Sequence, residues 1–244
     1  MSIRKKILAI SIGPVLVLGV ITLLFMLTMV KSSLMDEVQD ALKGTAAATL
    51  AAYDQNTGDY LESTNGDIWK GSYNISKSEN LVDRIKENTG MDVTFFYGNK
   101  RIMTSALDKK GNRILGSEAG ERVVNQVIKG KKPFFSTNVS LDGTRNYGYF
   151  IPVYQNGTTD QVIGMVFVGT NKAQKDAIVN KILGSIMMAL LVVMLLCIVT
   201  AMRMAASISK NIKNSVAVVG KLADGDLNVW VDEKLLKRKD EIGD

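Results

Sequence analysis

Ile182–Met202 reads ILGSIMMALLVVMLLCIVTAM, contains no charged residue, and runs directly into a basic tail that reaches Asp244. As a helix, about 21 residues measure roughly 31 Å, against a bilayer hydrocarbon core of about 30 Å. Core helices of soluble proteins seldom stay apolar on every face for that length, and Leu190, Leu191, Val192, Val193, Leu195 and Leu196 cover all sides. The stretch is read as a membrane span, set at 178–202.

A second apolar run, Ile7–Val30, follows Arg4-Lys5-Lys6. The apolar region of a cleaved signal peptide is usually about 7–15 residues long and ends at a small-x-small site. This run is longer, and Met29-Val30-Lys31-Ser32 offers no such site. Pro14 is tolerable in lipid. Residues 7–30 are therefore expected to form an uncleaved first span behind a cytoplasmic segment, 1–6.

Lysine and arginine accumulate on cytoplasmic flanks. Arg4, Lys5 and Lys6 precede the first span, and Arg203, Lys210 and Lys213 follow the second. A multi-pass protein of the cell membrane is expected, with both termini cytoplasmic and 31–177 outside. Lys172, Lys175 and Lys181 soften the contrast without reversing it, because long domains translocate largely regardless of charge.

Composition excludes several function classes. The net charge of +6 comes from Lys and Arg spread along the chain, which is not a nucleic-acid stripe, so no nucleic-acid partner is expected. The single cysteine, Cys197, lies inside the second span, so the external domain must stand on its apolar core without disulfides. There is no histidine, which removes Ser-His-Asp and Cys-His chemistry and imidazole metal sites. No Walker-type glycine loop is present, and Asp108-Lys109-Lys110-Gly111-Asn112 is too poor in acids for a calcium loop. The chain is expected not to be an enzyme and to carry no cofactor or metal.

The external segment opens with helix formers from Leu34 to about Tyr60. Leu34, Val38, Leu42, Thr45 and Thr49 recur at spacings of three and four. That stripe suits either the domain's own sheet or a partner helix, and Ala46–Ala48 with Ala51–Ala52 permit close approach in both cases. A second helix, about Ser78–Asn88, begins at a capping-box pattern, Ser76-Lys77-Ser78-Glu79, and stops at Gly90.

Strand patterns follow. Val93–Tyr97 and Arg101–Ser105 flank Gly98-Asn99, a hairpin signal. A helix over about Glu118–Lys129 precedes Phe134–Val139, Arg145–Tyr154 and Gln161–Val168, with turns at Asp142-Gly143 and Asn156-Gly157. Five strands on short loops with interposed helices make an α+β domain around an antiparallel sheet.

Thr89-Gly90-Met91-Asp92-Val93-Thr94-Phe95-Phe96 followed by Arg101-Ile102-Met103-Thr104-Ser105 resembles the central part of a single Cache sensor domain. So do Gly111-Asn112-Arg113 with Gly116, and Tyr149-Phe150-Ile151-Pro152-Val153 ahead of Val162-Ile163-Gly164-Met165-Val166-Phe167-Val168-Gly169. The resemblance covers about Thr89 to Asn171. It implies a PAS-like extracytoplasmic sensor of bacterial receptors, with a long N-terminal helix beneath a five-stranded sheet.

The tail, 203–244, resembles a HAMP domain. Ile208, Ile212, Val216, Val219 and Leu222 keep coiled-coil-like spacing, Gly225-Asp226-Leu227 breaks the helix, and Asp240-Glu241-Ile242-Gly243 matches the start of the family's second helix. Asn211 stands where that family usually has proline. The chain stops at Asp244, so the HAMP core is expected to be incomplete and an output module to be absent.

Cache domains of this kind often take small carboxylates or other metabolites beside the sheet. The resemblance thus implies a small-molecule ligand, a carboxylate or an amino acid. Arg101 and Arg145 are the natural carboxylate partners, because a guanidinium engages both oxygens in plane; the plain alternative for each is a solvated charge. Strand alternation puts Arg145, Tyr147 and Tyr149 on one face, where tyrosines can line a pocket and bond through their hydroxyls. Thr104 and Ser105 could donate hydroxyls, whereas Phe95, Phe135, Phe150 and Phe167 read as core. The whole resembles the sensor half of a methyl-accepting chemotaxis protein, working as a homodimer and passing its state to cytoplasmic signalling proteins. A receptor histidine kinase or diguanylate cyclase shares the same front end.

Overall fold

The structure, a computed structural model, describes residues 3–225, with side chains from Lys5 onward. The readings made at Asp226-Leu227 and at Asp240–Gly243 lie outside the described residues. In chain order the elements are α1 (Ile3–Phe25), a π-helical turn (Met26–Val30), α2 (Lys31–Asp54), β1 (Tyr60–Glu62), β2 (Ile68–Lys70), β3 (Tyr73–Asn74) and α3 (Glu79–Thr89). Then come β4 (Asp92–Tyr97), β5 (Lys100–Thr104), α4 (Glu121–Val123) continued by a π-helical stretch (Val124–Lys129), β6 (Phe134–Leu141), β7 (Thr144–Tyr154), β8 (Val162–Asn171) and α5 (Lys172–Ala223).

Two compact units result: one of apolar helix, before Lys31 and from Ile182 onward, and one formed by Lys31–Lys181. In the first, α1 continues through Pro14. Gly19 lets the helices approach until a Cβ there would stand 3.0 Å from Met194 Sδ. Val17, Leu18, Val193 and Leu195 are exposed around this pair, a surface suited to hydrocarbon. Two long apolar helices thus flank the folded domain.

In the second unit all sheet pairings are antiparallel, in the order β5-β4-β8-β7-β6. Asp142 (φ 45°) and Gly143 (φ 77°) make the two-residue turn that joins β6 to β7, as hairpin twist requires. The sheet is buried on both faces. Val93, Phe95, Tyr147, Tyr149, Val153, Val166 and Val168 pack with Leu42, Ala46 and Tyr53 of α2. The alternate residues Phe96, Phe150, Met165 and Phe167 form a second cluster with Ala106, Val127 and Leu141. The stripe of α2 therefore covers the domain's own sheet. Its centre is Leu42, Ala46, Thr49 and Tyr53, turned slightly from the expected line, with Thr45 only half-buried.

Three local expectations are corrected. Helix α2 ends at Asp54, not near Tyr60, and Tyr60–Asn74 forms a separate three-stranded antiparallel sheet, β1-β2-β3. Gln155 clamps that sheet through both backbone groups of Tyr60, at 2.8 and 3.1 Å. Lys70, buried over the Tyr60 ring at 4.3 Å, lies 3.7 Å from Asp54. The capping box does not form: Ser76 lies in the short turn Ile75–Lys77 and accepts from Ile68 N at 2.9 Å, and Ser78 precedes α3 without a side-chain cap bond, its hydroxyl donating to Ile75 O and sharing a hydrogen bond with Tyr53. The helix expected from Glu118 starts at Glu121.

Arg113 fastens the β5–α4 loop to α3. Its guanidinium engages both carboxylate oxygens of Asp83 and donates to Thr104 O at 2.7 Å. The hydrogen bond from Arg113 outweighs partial burial and holds the Asp83 carboxyl below its ordinary 3.8. A depressed carboxylate pKa contributes stability above the unfolded value and loses it as pH falls through the folded one. Asp83→Asn should therefore cost about 1 kcal/mol at pH 7, with the difference from wild type closing below about pH 4. Melts from pH 7 to pH 2 measure this, and a gap that stays constant to pH 2 would refute the assignment.

Candidate ligand cavity

On the sheet face turned away from α2 lies a cavity of about 500 Å³, within the roughly 300–1,000 Å³ of small-molecule sites. Its walls come from three places: Arg101 on β5, the segment Glu118–Val123 leading into α4, and β6 from Phe134 to Ser140, with Phe150 and Phe167 on the sheet. The Ile114–Ala119 segment is stitched along β5 by backbone bonds from Arg101 N to Ser117 O and from Gly116 N to Arg101 O, both 2.9 Å. Across the cavity, β6 bulges between Ser136 and Val139, which bends this edge strand.

Two glycines set the floor. Gly148 and Gly169 are paired across β7 and β8, and a Cβ on either would run into the Phe167 ring. The ring therefore lies over space that any other residue would fill. Phe150 meets it at 4.7 Å between centroids, and Phe134 stands 6.4 Å from Phe150.

Arg101 is the unusual member. It is 8 % exposed, and its only side-chain hydrogen bond among the described residues is Nη1 to Ile114 O at 3.3 Å. Its Nε is buried without a partner, and no ion pair to it occurs among the described residues. Burial pulls its pKa down, opposed by the charge of Asp92, yet an arginine keeps its proton. A buried cation held by neutral groups is costly unless an anion completes it. Arg122, exposed at the rim over the Phe134 ring at 5.4 Å, adds a second positive charge, and Glu118 adds a negative one.

The other sequence candidates lie elsewhere. Thr104 is buried and shares a 2.7 Å hydrogen bond with Thr94, and Ser105 accepts from Val93 N at 2.9 Å; neither lines the cavity. Arg145 is exposed near the start of β7, opposite Ser140. Tyr147 and Tyr149 belong to the cluster against α2. Tyr147 donates to Asp176 Oδ1 at 2.5 Å, and burial together with that carboxylate pushes its pKa up to about 12. Arg101 alone of the six lines the cavity. Glu118 and Arg122 escaped notice because they read as the exposed first turn of a helix, and Phe150 and Phe167 because they read as core.

Residues 73–182 match the family single cache domain 3. The domain between the apolar helices is a Cache domain. No curated protein matches the chain. Similar solved structures include an extracellular ligand binding receptor from Desulfohalobium retbaense, with 14% identity, TM-score 0.43, and coverage of 60% of this chain and 25% of that one. The ligand-binding domain of the Campylobacter jejuni chemoreceptor Tlp3, in complex with L-valine, shows 10% identity and TM-score 0.42 over 72% of this chain and 64% of that one. The Escherichia coli DcuS sensor domain shows 12% identity and TM-score 0.36 over 62% and 98%. The chain thus spans about a quarter of the first and less than two thirds of the second.

In this Cache domain the cavity wall also touches the first turn of α5. Thr137, on the β6 bulge, accepts from Lys172 Nζ at 3.2 Å. Lys172 Nζ sits 4.7 Å over the Tyr147 ring, and Phe135 stacks on that ring at 6.3 Å. Asp176, one turn further along α5, is held by the Tyr147 hydroxyl.

Proposed function

We propose that the chain is the sensing part of a transmembrane chemoreceptor that binds a small extracellular carboxylate or amino acid in the Cache cavity. The observation that carries this reading is Arg101, a buried guanidinium with no ion partner among the described residues, in the wall of a cavity of a sensor-type domain. Spans at both ends of the domain suit an extracytoplasmic sensor with both termini in the cytoplasm, the orientation favoured by Arg4, Lys5, Lys6 and Arg203. The receptor acts as a homodimer, and the resemblance of 203–244 to HAMP supplies the route to cytoplasmic signalling proteins. The ending Lys237-Arg238-Lys239-Asp240-Glu241-Ile242-Gly243 favours a chemotaxis output over a kinase or cyclase, since related chains most often continue from it into a chemoreceptor hairpin.

Ligand entry pulls on β6 and on the loop beside Arg101. Thr137, Lys172 and the Tyr147–Asp176 pair bring that movement to the start of α5. The displacement can be no larger than the ligand's preference between the two states allows.

The test uses the full chain in lipid nanodiscs, with thermal shift and calorimetry across organic acids and amino acids. A binder is expected, and Arg101→Gln should weaken it about 30-fold or more, the usual consequence of truncating one side of a desolvated charge pair. A binder indifferent to Arg101→Gln would move the site elsewhere, and a folded protein that binds none of the panel would sink the carboxylate reading.

A further inference from the structure

We propose that the preferred ligand is a carboxylate carried on a planar aromatic ring. This rests on the carboxylate-sensor reading and narrows it. The charge that fixes the carboxylate is Arg101, more than nine-tenths buried, with its Nε unpartnered. Around it the cavity is aromatic: Phe96, Phe134, Phe135, Phe150 and Phe167 all line it. A site for a two- to four-carbon acid needs neither that much apolar wall nor about 500 Å³.

The shape of the floor argues for a flat ligand. Phe167 lies across the paired Gly148 and Gly169, so its ring, 1 % exposed, closes the floor flat where a β-sheet would otherwise raise side chains. Phe150, tilted by 41° at 4.7 Å, and Phe134, tilted by 32° at 6.4 Å from Phe150, continue the aromatic surface toward the rim. A planar ring laid on this surface meets ring faces and edges at the separations aromatic pairs adopt. Two guanidiniums border the same surface, Arg101 over Phe96 at 5.3 Å and Arg122 over Phe134 at 5.4 Å. An anionic head and a flat apolar body are therefore both provided for. A backbone ammonium could meet Glu118 at the rim, so an aromatic amino acid falls within the class.

Calorimetry on the full chain in nanodiscs with benzoate, phenylacetate and L-phenylalanine, against cyclohexanecarboxylate, hexanoate, acetate and L-alanine, tests the proposal. The best ring-bearing acid is expected to bind about fivefold tighter than cyclohexanecarboxylate, which matches it in bulk but lacks the π face. Arg101→Gln should abolish measurable binding of both, whereas Phe167→Leu should erase the aromatic preference and keep the carboxylate requirement. Tighter Arg101-dependent binding of acetate, hexanoate or alanine would overturn the aromatic assignment and leave the carboxylate sensor standing. Equal binding of benzoate and cyclohexanecarboxylate would also overturn it. No binding of any acid to folded protein would remove both.

Discussion

Phe95→Ala is expected to cost the domain about 3–5 kcal/mol, enough to consume much of the stability of a module this size. Phe95 lies on β4, which pairs with β5 on one side and β8 on the other, and its side chain is wholly buried. Its ring meets Tyr53 edge-on at 5.1 Å and Tyr60 in a stack at 5.8 Å. Tyr53 is in the last turn of α2 and Tyr60 opens the small three-stranded sheet, so one ring joins three elements that share no backbone ladder. Removing it leaves a hole that paired strands cannot close, and cavity cost adds to transfer cost. Phe150→Ala makes the control. Phe150 is also buried but borders the open cavity, so much of the space it vacates adjoins existing space, and a loss about half as large is expected. Thermal and urea unfolding of the full chain, followed by near-ultraviolet circular dichroism, compares the two. A Phe95→Ala loss below that of Phe150→Ala would contradict the placement of the ring.

The sequence pattern placed the five strands within about three residues, because their apolar runs are punctuated by Gly98, Asp142-Gly143 and Asn156-Gly157; the widest miss is the end of β8, at Asn171 rather than Val168. It placed α3 from Gly90, whose φ of 69° caps the helix. What it could not supply was the sense of the alternation. Tyr147 and Tyr149 share a face with Arg145 by register alone, but whether that face meets α2 or a ligand depends on which side the helix covers, a tertiary fact. Polar-tipped tyrosines suggested a pocket, yet they lie under α2, while Phe150 and Phe167 serve as core and cavity wall together. The sheet β1-β2-β3 was invisible for another reason: strands of three, three and two residues carry no period. The capping-box pattern failed because the Ser76 hydroxyl accepts from Ile68 N of β2 and Tyr53 offers the Ser78 hydroxyl a buried partner, and tertiary contact outbids a local cap. Arg101 was legible as chemistry, though nothing in the sequence marked its Nε as unpaired.

Gly164→Ala and Gly148→Ala should behave differently although each adds one methyl group to β8 or β7. At Gly164 the new Cβ would run into the backbone carbonyl oxygen of Phe96 and lie 3.2 Å from Tyr97 Cα. Gly164 is paired with Tyr97 on one side and Val153 on the other, so neither strand can withdraw without giving up its ladder. A loss of about 3 kcal/mol or more is expected, at the upper end for overpacking. No side-chain substitution should relieve it, because the obstacle is main chain. At Gly148 the Cβ would instead meet Phe167 Cε2 at 2.5 Å and a Val139 methyl at 2.8 Å. Side chains can turn aside, so about 1–2 kcal/mol is expected, together with weaker ligand binding, since the displaced ring rises into the cavity. Phe167→Leu should then act as a second-site suppressor, with a coupling of about 1 kcal/mol in the double-mutant cycle. The same cycle between Gly164→Ala and Phe167→Leu should be additive. If Phe167→Leu fails to rescue Gly148→Ala, the ring does not lie over the glycine pair, and the flat floor that selects an aromatic acid goes with it.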